Sequence, residues 1–167
     1  MSAVFVNIDD FPLRGAGFED AFCDFLATNP AHWWLVAPSL ELWPINTERV
    51  SSALIAWSQA QKRGKAHLMV KSWRWVEADA ARFMNWRRLF AHQLDVRGWP
   101  ARLGDESVLP LGIYSVGLGL QIAPQQRQDV LMARKLDEKL ILRHKIEKIG
   151  EYWSNATPAL PAYRLGL

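Results

Sequence analysis

The chain has 167 residues, 50% hydrophobic and 22% charged, which is long enough to bury a core and too apolar for a disordered segment. A single cysteine, Cys23, excludes an internal disulfide and a cysteine zinc site, and no apolar run approaches the ~18 residues of a membrane span. The net charge of +3 is a sum of unlike parts: −5 over residues 1–61, +7 over 62–102 and +1 from 103 onward.

The first residues (MSAVFVNIDDF) lack a charged stretch followed by an apolar run and do not read as a secretory signal. The expectation is one cytoplasmic α/β domain over 1–167. Residues 17–28 place Phe18, Phe22, Phe25 and Leu26 at helical spacing, and Asn29-Pro30 ends that helix. Cys23 falls among these and reads as core. Trp33 to Ala37 is a short apolar strand stopped by Pro38. Asn46 or Thr47 can cap the next helix, with Glu48 in its first turn and Val50, Ala53, Leu54 and Trp57 on one face; Gly64 closes it. Ala66 to Val70 is a second strand, 76–92 a third helix, and Leu94 to Arg97 a third strand.

Residues 101–107 are polar and loop-like. Val108 to Ile122 is strand-rich, either one bent strand or a hairpin about Gly117. Pro124 then opens a helix predicted from about Gln125 to Trp153. Met132, Ala133, Leu136 and Leu140 share one side of it, and Leu142, Ile146, Ile149 and Trp153 share another. Either this helix breaks near 141–144 or both its sides are covered; the second option suits a homodimer. The tail, with Pro158 and Pro161, reads as extended. Strands alternating with helices predict a mostly parallel mixed sheet flanked by helices, with a long C-terminal helix.

Catalytic patterns are scarce. His32, His67, His92 and His144 show no helical i, i+4 pair, and HExxH, CxxC, GxGxxG, GxxxxGK[ST] and GxSxG are all missing. No catalytic, metal or cofactor residue is therefore assigned. The charge pattern is the informative feature. Residues 62–102 hold ten Lys/Arg and three Asp/Glu, interleaved with Trp73, Trp75, Phe83, Trp86, Phe90 and Trp99. Cations there can neutralise phosphates while Trp73, Trp75 or Trp86 stack on bases. Helical spacing equally allows Phe83, Trp86 and Phe90 to face inward and Arg82, Arg87 and Arg88 to face water. The acidic first part can also fold against the basic middle and cancel it.

Three stretches, WWLVAPSLELWP at 33–44, FMNWRRLFAH at 83–92 and YWSNATPALPAYRLGL at 152–167, resemble a family of uncharacterised small bacterial (proteobacterial) proteins. These share a W-P after the first strand, an F-x-x-W-R-R-x-x-x-H helix and a C-terminal L-G-L. The order of elements is also similar to one half of the phospholipase D superfamily. That superfamily's activity rests on an H-x-K motif followed by an aspartate. The corresponding region here, LPLGIYSVGLGLQIAP, has neither histidine nor lysine, so the resemblance implies a half-domain without that active site.

The sequence thus predicts a non-catalytic binding protein for an anionic partner, an acidic protein or nucleic acid. Its expected surface is Lys71, Trp73, Arg74, Arg82, Arg87 and Arg88. The alternative is a phosphodiesterase-type hydrolase with an atypical site, for which His92 or His67 would have to be the nucleophile.

Overall fold

Three strands from the middle of the chain set the frame of the computed structural model, which describes residues 10–104, 108–123 and 130–159. β1 (Phe11–Leu13) is followed by α1 (Gly15–Ala27), β2 (His32–Ala37), α2 (Glu48–Ala60), β3 (Lys65–Val70), α3 (Arg74–Asp79) and α4 (Ala81–Leu89). A single 3-10 turn (Ala91–Gln93) leads into β4 (Leu94–Pro100). Next come β5 (Gly112–Tyr114), β6 (Gly119–Ile122), β7 (Leu131–Leu136), α5 (Lys139–Trp153) and β8 (Ala156–Pro158). Among the described residues the strands form one eight-stranded sheet in the order β1-β7-β6-β5-β2-β3-β4-β8.

The α/β expectation holds, with helices on both faces and a C-terminal helix. The mostly parallel sheet does not. Only β2–β3 and β3–β4 pair parallel; the other five pairings are antiparallel. The difference arises where antiparallel strands need only a tight turn rather than a crossover helix. Ser115 builds one such turn: its Oγ accepts from the amides of Gly117 and Leu118 at 3.3 and 3.2 Å, closing the β5–β6 hairpin. Gly112 opens that hairpin at φ +142°, and a Cβ there would run into the Leu120 carbonyl oxygen, so the position requires glycine.

The helix predicted from Gln125 to Trp153 is also corrected. Its start, 124–129, lies outside the described residues. Residues 131–136 are strand β7, and the helix begins at Lys139. Leu131 and Ala133 point to one face of the sheet and Leu136 to the other, an alternation that helical spacing had imitated. The two-sided helix behind the expected homodimer is therefore not one helix. The predicted helix over 76–92 is likewise divided, into α3, α4 and the 3-10 turn. Ala80, at φ −107° and ψ 61°, breaks it. Part of the extended tail pairs with β4 as β8, while Pro161 lies outside the described residues.

Two cores result. On one face α1, α2, α3 and α4 pack Phe22, Phe25, Trp33, Trp57, Phe83 and Trp86 against the sheet. Each fully buried side chain of this size contributes roughly 2–3 kcal/mol through removal of apolar surface from water. On the other face α5 covers Val36, Met69, Trp99 and Tyr114 with Leu142 and Ile149. Thr47 caps α2 by accepting from the Val50 amide at 3.3 Å. Asn46 serves elsewhere: its amide donates to the Asp79 carbonyl at 3.0 Å, and its Oδ1 accepts the Arg82 N–H at 2.8 Å. A loop residue thus bridges the α3–α4 break and satisfies a donor in the first turn of α4. No helix among the described residues is long and apolar enough to cross a membrane.

Candidate functional site

The structure separates the residues expected to form one basic face. Lys71 follows β3, its amide donates to the Ala37 carbonyl at 3.1 Å, and its ammonium lies 5.7 Å from the centre of the Trp99 ring. Arg74 and Arg82 are exposed at the starts of α3 and α4. These three stand at the end of the sheet where β2 and β3 finish. Arg88 is exposed in the last turn of α4, at the opposite end, with its guanidinium donating to Asn85 at 2.8 Å. Arg87 is buried, and so is Trp73, whose indole donates to the Arg97 carbonyl at 3.1 Å. Trp86, the other expected stacking residue on α4, is fully buried with its indole donating to Ser58 Oγ at 2.9 Å.

A denser cationic group lies at the amino-terminal edge of the parallel strands. His32 pairs in register with Lys65, and Ala66 with Leu94, so β2, β3 and β4 start level. The turn from α2 into β3 presents Lys62 and Arg63, both exposed. It is pinned by Gln61 Nε2 donating to the Asn29 carbonyl at 2.8 Å and by the Lys65 amide donating to the Ala31 carbonyl at 2.9 Å. The Lys65 ammonium donates to the His92 carbonyl, which joins this turn to the segment after α4. The edge therefore gathers Lys62, Arg63, Lys65 and Arg88, with His32 and His92 also exposed.

Helix polarity accounts for only part of this charge. α1, α2 and α4 all end here, and each carboxyl end carries roughly −0.5 of an elementary charge, against four full positive charges. Carboxylates do not balance the rest. The ion pairs of the described residues join Arg49 to Asp20, Arg97 to Asp95, Arg134 to Asp10, Arg143 to Glu147 and Lys148 to Glu151. Lys62, Arg63, Lys65 and Arg88 have no carboxylate partner among the described residues.

Beside this edge, on the face covered by α5, lies an aromatic cluster that spacing gave no reason to assemble. Trp34 and His67 oppose each other across β2 and β3, with ring centres 5.0 Å apart and planes 12° from parallel. His32 Nδ1 meets His67 Nε2 at 3.4 Å, and the two planes differ by 13°. Trp153, the last residue of α5, stands edge-on to His67 at 5.5 Å. Arg97 sits over Trp153 at 4.8 Å and donates to its carbonyl at 2.8 Å, while its Nε pairs with Asp95 at 3.2 Å. Burial and then the neighbouring His32 pull His67 down to about 4, so it is neutral at pH 7. Register placed His67 and Trp34 together; no pattern within either strand could have done so.

A cavity of about 410 Å³ opens at the other end of the sheet, between the end of β2 and strands β6 and β7. Its wall is mostly apolar, with Val36, Trp43, Leu111 and Ile122, and its polar members include Ser39 and Glu41. Glu41 is the charged residue of that lining, and Lys71, Arg74 and Arg82 stand at the same end of the sheet. Of the two histidines that could serve a hydrolase as nucleophile, His67 is surrounded by Trp34, His32 and Trp153, and His92 is exposed. Among the described residues no group of three or more His, Cys, Asp or Glu is arranged to hold a metal ion.

No family model and no curated protein matches the chain. A solved structure of TrmBL2, an archaeal chromatin protein described as showing a novel mode of DNA binding, is similar in fold, with a TM-score of 0.55 and 11% identity. The match covers 95% of this chain and 56% of that one, so the chain spans a little over half the length of its structural neighbour.

Proposed function

We propose that this chain is a non-catalytic binding module that holds nucleic acid by its phosphates along the amino-terminal edge of β2, β3 and β4. The observation that carries this reading is the exposed set Lys62, Arg63, Lys65 and Arg88, without carboxylate partners among the described residues. Such a set neutralises phosphates and releases their counterions, a term that needs no base sequence. The fold likeness to a protein described as DNA-binding favours nucleic acid over an acidic protein as the anion. The likeness to one half of the phospholipase D superfamily remains a proposal of the same kind. On that reading the chain is a half-domain that binds phosphodiesters without cleaving them.

The test is a fluorescence-anisotropy titration with labelled oligonucleotides at low and moderate salt. Binding should weaken steeply with salt, and the combined Lys62→Glu, Arg63→Glu and Lys65→Glu variant should lose it while keeping its melting temperature. Each lost phosphate contact should lower the magnitude of the log–log salt slope by about 0.7–0.9. Arg74→Glu with Arg82→Glu, at the other end of the sheet, should change affinity far less. A chain that binds no oligonucleotide at low salt, or that loses binding only through Arg74 and Arg82, would overturn this assignment.

A further inference from the structure

We infer that the nucleic acid is bound as a single strand, with bases stacking on the exposed His32 and the half-buried Trp34 at the rim of the cluster around His67; this rests on the phosphate-binding reading above. The argument begins with which tryptophans are available. Of nine, Trp33, Trp43, Trp57, Trp73, Trp86 and Trp99 are buried. Trp34, Trp75 and Trp153 are half-buried. Two of these three meet around a single side chain, His67, on the sheet face next to the cationic edge.

The geometry suits a flat ligand. Trp34, His67 and His32 lie in nearly parallel planes, with His32 25° from Trp34 at 6.1 Å. His32 is exposed and forms the outer member of the group. Its 5.7 Å centre-to-centre distance from His67 is what two imidazoles need when they meet nitrogen to nitrogen in nearly one plane. The pair is thus joined at its edges, and Trp34 stacks on one face of His67, so the exposed His32 is the ring that offers a face to a base. Trp153 stands perpendicular and closes one side, held there by Arg97.

Cations frame the cluster at positions set by register. Lys65 lies directly opposite His32 and therefore on the same face, and Asp95 lies opposite His67, with Arg97 two residues further along β4. A backbone following Lys62, Arg63 and Lys65 places its bases beside His32 and Trp34. Duplex DNA keeps its base faces stacked on one another and offers side chains only groove edges. Ring faces beside a cationic edge therefore fit an unpaired strand, and each stacked base should add about tenfold or more in affinity, with little sequence preference.

The experiment compares three probes of equal length on the unmodified protein: oligothymidine, an abasic strand with the same phosphates, and a duplex. Oligothymidine should bind at least about tenfold tighter than the abasic strand and tighter than the duplex, with quenching of tryptophan fluorescence. Trp34→Ala and the exposed His32→Ala should remove the gain over the abasic strand and leave the abasic affinity and its salt slope unchanged. Equal affinity for oligothymidine and abasic strand, or a preference for duplex, overturns the stacking inference and leaves the phosphate reading standing. No binding of any probe at low salt overturns both. Because the probe comparison is made on the native chain, it decides the matter even if Trp34→Ala does not fold.

Discussion

Trp86 donates its indole N–H to the Ser58 hydroxyl at 2.9 Å in the fully buried seam between α4 and α2. The stacked neighbour of Trp86, Trp33, has rings only 12° from parallel at 6.3 Å, yet its own buried indole N–H has no hydrogen-bond partner among the described residues. Two tryptophans in one cluster therefore differ in a single hydrogen bond. Both Trp86→Phe and Trp33→Phe leave a small void, but only Trp86→Phe strands a buried hydroxyl. Trp86→Phe should cost about 1–2 kcal/mol more than Trp33→Phe. Urea unfolding of the two variants measures the difference, and equal losses would show that Ser58 finds another partner.

Asn46 ties its own loop to the α3–α4 junction more than thirty residues later, and its removal acts on that break rather than on α2. Asn46→Ala leaves the Asp79 carbonyl and the Arg82 amide without their side-chain partner. The expected loss is about 1–2 kcal/mol, whereas Asn46→Asp, which keeps the acceptor for the Arg82 amide, should lose less. Hydrogen exchange at Arg82 should accelerate in the alanine variant; unchanged protection there would show that the first turn of α4 is held by packing alone.

His67 makes the stability of the α5 seam depend on pH. Burial and His32 lower its pKa, with Lys65 and Arg97 acting in the same direction and Asp95 opposing them, to about 4 from the ordinary 6.5. The unfolded chain therefore takes up a proton first as pH falls. The stabilisation is complete above about 6.5, is lost between 6.5 and 4, and changes no further below 4. At pH 5 the loss should be on the order of 1 kcal/mol, since solvent screens part of the effect at a ring that is only partly buried. The urea midpoint should fall between pH 7 and pH 5 in the native chain and fall less in His67→Gln; identical pH slopes would contradict the assignment.

Gly112→Ala should be among the most damaging single changes in the β5–β6 hairpin. The added methyl meets the Leu120 carbonyl, and the positive φ is unfavourable for any side chain. A loss of about 3 kcal/mol or more is expected, against less than about 1 kcal/mol for Gly117→Ala, where a Cβ meets nothing within 4 Å. Thermal melts of both variants give the comparison.

Where the sequence was legible, the signals were local. α1, β2 and α2 end at Asn29-Pro30, Pro38 and Gly64, and within them and β3 apolar spacing matches burial. β7 was not legible because Met132, Ala133 and Leu136 fit a helical stripe about as well as a strand; its partners β1 and β6 decide the matter. The break at Ala80 was hidden for a similar reason, since Asn46, some thirty residues earlier, supports it. The excess of positive charge over 62–102 was legible as a sum but not as a place. Helix α4 carries Arg82 to one end of the sheet and Arg88 to the other, while Lys62, Arg63 and Lys65, outside the expected set, gather at a level strand edge. Trp73 and Trp86, two of the aromatic residues expected beside that charge, direct their indole N–H groups into the core, which spacing alone does not reveal.

The strand order also predicts a sequence of events in folding, to be read from which strands gain hydrogen-exchange protection first. β2 pairs with β3 and β3 with β4, each the next strand along the chain, so loop closure among them is short. The margins of the sheet differ. β1 joins β7, with Phe11 opposite Ala133, and β8 joins β4, with Pro158 opposite Arg97, each across a long intervening segment. The cationic edge thus belongs to the part of the molecule that assembles from nearby residues. The two three-residue margins close afterwards, and they are also where the native sheet opens most readily.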